Sequence, residues 1–219
     1  MIKTVRCITL SATLFASIFL AAAKADTIAT FTLTASGCSA SCGSGPYGTI
    51  TLSDNLAGMV TVTETLAAGE HFANTGAGQA LEYQLQNPST PGLAVNVLTP
   101  GFVAGGADTA SVFGSFNSSI VCSICANGGN INNPTGPVVF TVTNTAHTIS
   151  IASFVANASG YFFAADILAT TGNTGNVAAV GGGGGGGSVV PEPASLWLAI
   201  GGIVMVGAGK LGRRAKAKA

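Results

Sequence analysis

Apolar residues alternate with threonine along several short runs of this chain, and this period of two constrains the fold more than any other feature. The run Met59–Leu66 reads Met-Val-Thr-Val-Thr-Glu-Thr-Leu, and residues 28–34 and 138–143 repeat the pattern. Alternation at every second residue is typical of a β-strand with one buried face, whereas a helix needs a period near 3.6. We therefore expect an all-β fold, an antiparallel β-sandwich of jelly-roll-like type.

Further strands are predicted where β-branched and aromatic residues collect between Gly, Asn, Ser and Pro. They cover residues 81–85, 93–98, 111–116, 149–155 and 161–168. A single helical turn is expected near Leu56 or within residues 103–109. One domain of ordinary size follows, with residues 26–180 as its bounds.

The first 25 residues predict a signal peptide. Lys3 and Arg6 precede an apolar core at residues 8–23, and Ala23-Lys24-Ala25 forms a small-residue cleavage site. Cleavage there leaves Asp26 as the first residue of the mature chain, so the fold is expected to begin at that residue.

The C-terminal segment predicts delivery to a membrane. A glycine run fills most of the linker at residues 181–190, and an apolar stretch follows at residues 194–209. As a helix this stretch spans about 24 Å, short of a hydrocarbon core of about 30 Å. Lys210, Arg213 and Arg214 come after it and place the C-terminus in the cytoplasm. We expect a single transmembrane helix that inserts transiently, with a buried core helix as the alternative.

The tail resembles a known family of sorting signals. Val190, Pro191, Glu192 and Pro193 precede the apolar stretch and the Gly-Arg-Arg cluster, and this arrangement looks like the PEP-CTERM signal of Gram-negative bacteria that make exopolysaccharide. The resemblance makes residues 191–219 the sorting signal and implies an exosortase-type processing enzyme as partner. It also implies an exported protein, held in the inner membrane before processing and then placed at the cell surface or in the extracellular matrix.

Charge divides the chain into a basic delivery apparatus and an acidic domain. Residues 26–190 contain seven acidic residues and no Lys or Arg, so their formal charge is −7. Nucleic acid and anionic lipid are poor partners for such a surface and no nucleic acid is expected to bind, whereas divalent cations are possible partners. Solubility and mutual repulsion are the expected role of these acids.

The four cysteines of the domain are predicted to form two disulfides. Cys38 and Cys42 are spaced C-x3-C, and Cys122 and Cys125 are spaced C-x2-C, each pair in a stretch rich in Gly, Ser or Asn. Export favours oxidation, so we expect each pair to close on itself. A zinc site with four thiolates is the alternative, and a redox role for Cys122 and Cys125 ranks below it.

Catalytic motifs are not found, and neither an enzyme, a cofactor nor a metal is expected. Glu64, Glu70 and Glu82 lie close enough in sequence to suggest glycosidic hydrolysis. Glu64, however, is read as a polar position of an alternating strand, facing solvent. Asp166 follows three aromatic residues and is the acid that most invites a calcium test, although capping of a loop is its expected role.

Three functions are compatible with these features. The favoured one is a surface or matrix protein with a structural or interaction role. The first alternative is a carbohydrate- or calcium-binding module of the polysaccharide matrix, with Tyr47, Tyr161 and Asp166 as the ligand platform. The third is an extracellular hydrolase.

Overall fold

The computed structural model of the chain describes residues 27–55 and 58–180, which form two facing antiparallel sheets. Its strands are β1 (Thr27–Leu33), β2 (Ala35–Ser36), β3 (Gly48–Asn55), β4 (Met59–Leu66), β5 (His71–Phe72), β6 (Leu81–Tyr83), β7 (Leu93–Val97), β8 (Phe102–Gly105), β9 (Asp108–Ala110), β10 (Gly114–Phe116), β11 (Ser118–Cys122), β12 (Val138–Asn144), β13 (Tyr161–Leu168) and β14 (Thr174–Val180). A 3-10 turn at Ile151–Ser153 is the one helical element among these residues. The expected all-β antiparallel architecture is confirmed.

The five-stranded sheet has the strand order β1-β3-β4-β12-β7, and every neighbouring pair is antiparallel. Burial alternates along β1, β4 and β7, as the sequence pattern predicts, whereas in β12 the outward-phase Thr141 is also buried. In β4 the side chains of Val60, Val62 and Leu66 point into the core, while Thr61 and Thr63 point outward. One face of this sheet therefore meets solvent.

The seven-stranded sheet has the order β2-β14-β13-β6-β11-β8, with β5 pairing β13. Its central strands are buried on both faces: β13 is buried from Phe163 to Leu168 and β14 from Gly175 to Ala179. The inner face packs against the five-stranded sheet, and aromatic rings join the two. Phe31 meets Phe163 with ring centroids 5.0 Å apart, and Tyr83 meets Phe140 at 5.4 Å.

A third layer covers the outer face of the seven-stranded sheet. The hairpin of β9 and β10 places Phe113 and Phe116 over Ala164 and Ala178, which form a second apolar cluster. Beside it, residues 74–79 run across the same face, and we refer to them as the covering loop. This layer explains why β13 and β14 do not alternate: both of their faces exclude water.

Two strand predictions were wrong or incomplete, and several strands were not predicted. Residues 149–155 contain the 3-10 turn rather than a strand, and residues 111–116 contain a turn before β10. The helical turn expected within residues 103–109 is absent, since β8 and β9 occupy that segment; Leu56 lies outside the described residues. The strands that were not predicted are β2, β3, β5, β8, β9, β11 and β14. In β14 the residues Gly, Asn and Ala weaken the pattern.

Several predictions concern segments outside the described residues, namely the signal peptide, the glycine linker, the sorting motif Val190, Pro191, Glu192 and Pro193, and the basic stop Lys210, Arg213 and Arg214. Within residues 27–55 and 58–180, no helix has the length and apolar character that crossing a bilayer requires.

Candidate functional site

The four cysteines form two disulfides, each within its own short loop. Cys38 is bonded to Cys42 and Cys122 to Cys125, with Cα atoms 5.9 and 5.4 Å apart. The expected pairing is confirmed, and the four sulfurs therefore do not converge on a zinc ion. The first loop is further held because the side chain of Asn173 donates a hydrogen bond to the carbonyl of Ser41 at 2.7 Å.

The tyrosines do not form the expected stacking platform. Tyr47 is 3 % exposed, and its hydroxyl donates to the carbonyl of Gly43 at 2.8 Å. Tyr161 is half-buried and packs edge-on against Phe113, with centroids 4.8 Å apart. A sugar ring needs an open aromatic face, so the prediction for Tyr47 was wrong because its ring belongs to the core.

The acidic residues are inside the domain rather than on its surface. Glu64, Glu70, Glu82 and Asp166 are buried. Asp54 and Asp108 are partly buried, so none of the six acids among the described residues is fully exposed. The expectation that the charge of −7 serves solubility and mutual repulsion was therefore wrong for most of these acids.

Glu64 faces the core and not the solvent, which corrects the sequence prediction. It lies on β4 in phase with Val60 and Val62, and pairs across the sheet with Ile50 and Val138. Neither carboxyl oxygen has a hydrogen-bond partner among the described residues. Burial, helped by the charge of Glu82, raises the pKa of Glu64 well above its ordinary value, which favours the neutral acid.

A second group of polar side chains lies under the covering loop, and we name it the Glu82 site: Glu82, Asp166 and Asn176, each with no exposed surface. Asp166 and Asn176 are directly opposite on β13 and β14, and Glu82 on β6 pairs with Ala164, two residues before Asp166. Alternation places all three side chains on the same outer face of the sheet.

The covering loop is tied to this site by hydrogen bonds. Asp166 Oδ2 accepts from the amide and the hydroxyl of Thr75, at 2.9 and 2.7 Å, which confirms its expected loop-capping role. Glu82 Oε1 accepts from the amide of Gln79 at 2.7 Å, and the Asn176 side-chain amide donates to the carbonyl of Ala77 at 2.7 Å.

One oxygen of each of these three side chains stays without a partner among the described residues: Glu82 Oε2, Asp166 Oδ1 and Asn176 Oδ1. Burial raises the pKa of Glu82 well above its usual value, the amide of Gln79 lowers it, and the charges of Asp108 and Asp166 raise it further. Burial also raises the pKa of Asp166, while its two hydrogen bonds from Thr75 oppose that rise.

The glutamates do not assemble the pair that a glycosidase uses. Glu64 lies between the two sheets, whereas Glu82 lies on the outer face of the seven-stranded sheet, so the two carboxyl groups approach no common space. Across residues 27–55 and 58–180, no group of three or more His, Cys, Asp and Glu side chains is arranged to hold a metal ion.

A small cavity of ≈ 170 Å³ opens at one end of the fold, between the segments that flank β7 and β12. Asn87, Asn144 and His147 contribute polar groups to its wall, and Leu85 and Leu93 contribute apolar ones. The Asn144 side-chain oxygen already accepts bonds from the amides of Ala146 and His147. We refer to it as the amide cavity.

The outer face of the five-stranded sheet carries an ordered set of hydroxyl groups, the threonine face. Its nine members lie on four adjacent strands: Thr30, Thr32, Thr49, Thr51, Thr61, Thr63, Thr65, Thr141 and Thr143. Thr32, Thr49 and Thr65 are in register across three strands, and Thr30, Thr51 and Thr63 form the next row. The alternating sequence pattern placed these threonines on the polar face of their strands. It was used only to predict the strands and not a binding surface.

No protein-family model, no curated protein and no solved structure matches this chain. The resemblance of the tail to PEP-CTERM signals therefore rests on its own residues, and the function of the domain on its geometry.

Proposed function

We propose that this chain is an exported cell-surface or matrix protein whose β-domain binds neutral polysaccharide through the threonine face. The observation that carries the proposal is this array of hydroxyl groups on a sheet face without any charged side chain. In this proposal a signal peptide directs export and the C-terminal helix spans the membrane transiently. The chain is then processed near Pro191-Glu192-Pro193. The proposal includes a jelly-roll-like sandwich as the fold of the β-domain.

The spacing of the threonine face suits a repeating polymer. Neighbouring strands lie about 4.8 Å apart, and outward side chains on one strand recur about every 6.8 Å. Two threonine rows in register thus present hydroxyls at regular intervals across β1, β3 and β4. A chain of sugar units offers donors and acceptors at comparable, regular intervals along its length.

The hydroxyls of this face are also uncommitted. Among the described residues, none of the nine threonines makes a side-chain hydrogen bond, in contrast to Thr75 and Thr171 elsewhere. The face carries no acid, since Glu64 and Asp54 fall on the opposite phase of their strands. Thr141 is buried, and the other eight threonines are exposed or partly exposed, so their hydroxyls are free to bind an uncharged ligand without repulsion or competing internal bonds.

The attachment of the tail suits display. The last strand, β14, is hydrogen-bonded on both sides, by β13 and by β2, and ends at Val180 where the glycine run begins. A load applied through the tail reaches a core strand rather than a free edge. This arrangement holds the domain folded while it is tethered.

Binding is tested with the triple variant Thr30→Val, Thr51→Val and Thr63→Val, which removes one row of hydroxyls and keeps β-branched side chains. Each hydrogen bond contributes about 0.5–1.5 kcal/mol, so affinity for the polysaccharide of the producing cell should fall at least about tenfold. Thr135→Val, on an exposed loop, is the matched control and should bind like wild type.

Two results contradict the proposal. In the first, the triple variant binds polysaccharide like wild type, whereas a protein with Asn87→Ala and His147→Ala loses binding. This result would place the binding site in the amide cavity. Absence of binding to any native neutral polysaccharide removes the function itself.

Delivery is tested separately by intact-mass analysis of the protein recovered from the cell surface and medium. We expect a chain that begins at Asp26 and ends near Pro191-Glu192-Pro193, and a Glu192→Ala variant that keeps its tail. A mature protein that retains residues 194–219 in wild type contradicts the sorting assignment.

A further inference from the structure

The Glu82 site gathers three buried acceptor oxygens and no donor for them. Glu82 Oε2, Asp166 Oδ1 and Asn176 Oδ1 all lack a partner among the described residues, and all belong to side chains without exposed surface. Asn176 is independent of the acids: it is an uncharged amide whose own donor group is fixed on Ala77, which leaves its oxygen turned to the site. A buried polar atom without a partner costs free energy, so three on the same covered sheet face indicate a counterpart from solvent.

The covering loop approaches the site closely at Gly78. A Cβ atom on Gly78 would lie 2.5 Å from Asn176 Oδ1 and 2.6 Å from Glu82 Oε1, which shows that these two oxygens border the same small space. At these distances a side chain at position 78 would displace the side chain of Asn176 or Glu82. The loop thus closes over the oxygens with bare backbone and brings the main chain of residues 77–79 against them.

A positively charged counterpart from solvent offsets the charge of these carboxyl groups as well as satisfying their oxygens. The two donors from Thr75 favour the ionised form of Asp166, and the charges of Asp166 and Asp108 act on Glu82. No Lys or Arg exists anywhere between residues 26 and 190 to offset that charge. A proton shared between two of the oxygens leaves the third without a donor, whereas one cation serves all three.

We propose that the Glu82 site binds one Ca²⁺ ion through Glu82 Oε2, Asp166 Oδ1 and Asn176 Oδ1. Calcium accepts carboxylate, amide and main-chain oxygens together and tolerates irregular geometry, which fits two acids and one amide better than the stricter octahedron of Mg²⁺. Asp108 takes no direct part; it holds the Gln79 side chain and thereby the end of the covering loop. The ion fastens this loop to β6, β13 and β14. This inference goes beyond the threonine face and does not depend on it.

The test is a calcium titration of the purified full-length chain after treatment with EGTA, followed by calorimetry and by thermal unfolding. We expect a stoichiometry of one, a rise of several degrees in Tm at millimolar Ca²⁺, and a much smaller rise with Mg²⁺, because a ligand that binds only the folded state raises its stability. Glu82→Gln and Asp166→Asn keep the side-chain shape and should lower calcium affinity at least about tenfold.

Glu64→Gln is the matched control, since it also removes a buried carboxyl group but lies on the core side. It should keep the full calcium response. Direct calorimetric binding to folded Glu82→Gln protein, checked by circular dichroism, separates loss of the site from loss of the fold.

Three outcomes overturn the proposal. An unchanged Tm and no heat of binding between 0 and about 10 mM Ca²⁺, near physiological pH, exclude the site. A calcium response that survives in both variants places the ion elsewhere. A Tm that rises on acidification and ignores Ca²⁺ shows that protons neutralise these carboxyl groups.

Discussion

The two sheets of this domain differ in the number of faces that are buried. This difference decides which strands could be predicted from the alternation of apolar and polar residues. The five-stranded sheet has one wet face, so apolar residues alternate with threonine along β4 and β12. The seven-stranded sheet lies between the core and the third layer, so β13 and β14 are buried on both faces. Apolar and polar residues alternate only in a strand that has one face in contact with water. A strand with both faces buried does not show this alternation.

The same difference explains where the acids are. On the five-stranded sheet, the wet face is entirely uncharged and Glu64 is turned inward. On the seven-stranded sheet, the face that would ordinarily meet solvent carries Glu82 and Asp166, and the covering loop closes over them. Four of the six acids among the described residues are therefore buried, and Asp54 and Asp108 are partly buried. The uncharged outer face of the five-stranded sheet suits contact with an uncharged polymer. The buried carboxyl groups, in turn, need protons or cations to neutralise them.

The largest expected effect contrasts a substitution on each outer face. Ala164→Leu adds volume beneath Phe113 and Phe116 and should cost about 1–3 kcal/mol of unfolding free energy by overpacking. Thr63→Leu, on the threonine face, should change it by less than about 0.5 kcal/mol. Urea unfolding of both proteins measures the contrast, and equal losses would show that the hairpin does not cover its sheet.

The second largest effect on the unfolding free energy is expected from the disulfides. Both lie beside the seven-stranded sheet, and neither lies on the five-stranded sheet. Each closes a loop of a few residues, for which chain entropy gives about 2 kcal/mol. The pair Cys122→Ala, Cys125→Ala and the pair Cys38→Ala, Cys42→Ala should each lose roughly this amount in denaturant titrations. A loss well below it in either pair would indicate that the loop is ordered without its bridge.

Glu64 makes the stability of the five-stranded sheet depend on pH. Its pKa is raised in the folded state, so its proton favours folding; this contribution is complete below about pH 4 and is lost as pH rises through the folded pKa. Glu64→Met should therefore gain about 1–2 kcal/mol at pH 7 and less at pH 4. Unfolding curves at pH 4, 5.5 and 7 measure this, and a gain that is equal at all three values contradicts a buried neutral acid.

The smallest expected effect is at the tip of the hairpin that covers the seven-stranded sheet. Val112 has φ of 62°, a left-handed conformation that is costly for a β-branched residue, and its side chain is 72 % exposed. Val112→Asn should raise stability by about 0.5–1 kcal/mol, because Asn adopts this conformation more easily. A decrease would mean that the Val112 methyl group above Gly37 contributes more than the backbone strain removes.

Local pattern was sufficient for elements with a solvent boundary and for chemistry between neighbours in sequence. Strand β4 lies where the alternation places it, and both disulfides close within their own spacing. The prediction failed for residues 149–155, which contain a 3-10 turn at Ile151–Ser153 and a single bridge between Phe154 and Leu85 instead of a strand, while Ile149 and Phe154 pack in the core. Glu64 was assigned to the wrong face because its polarity was weighted above its phase with Val60 and Val62.

Residue types and short spacings were enough to predict the all-β class and the disulfide pairing, and they show that residues 26–190 contain no Lys or Arg. Tertiary structure was needed to bring Glu82 to Asp166 and Asn176, since β6 is distant in the chain from the hairpin of β13 and β14 and joins it through strand pairing. It also decided that the acids are buried, because a third layer covers one sheet and leaves the other open. Periodicity describes one strand and its two faces; which of those faces water reaches is a property of everything packed above it.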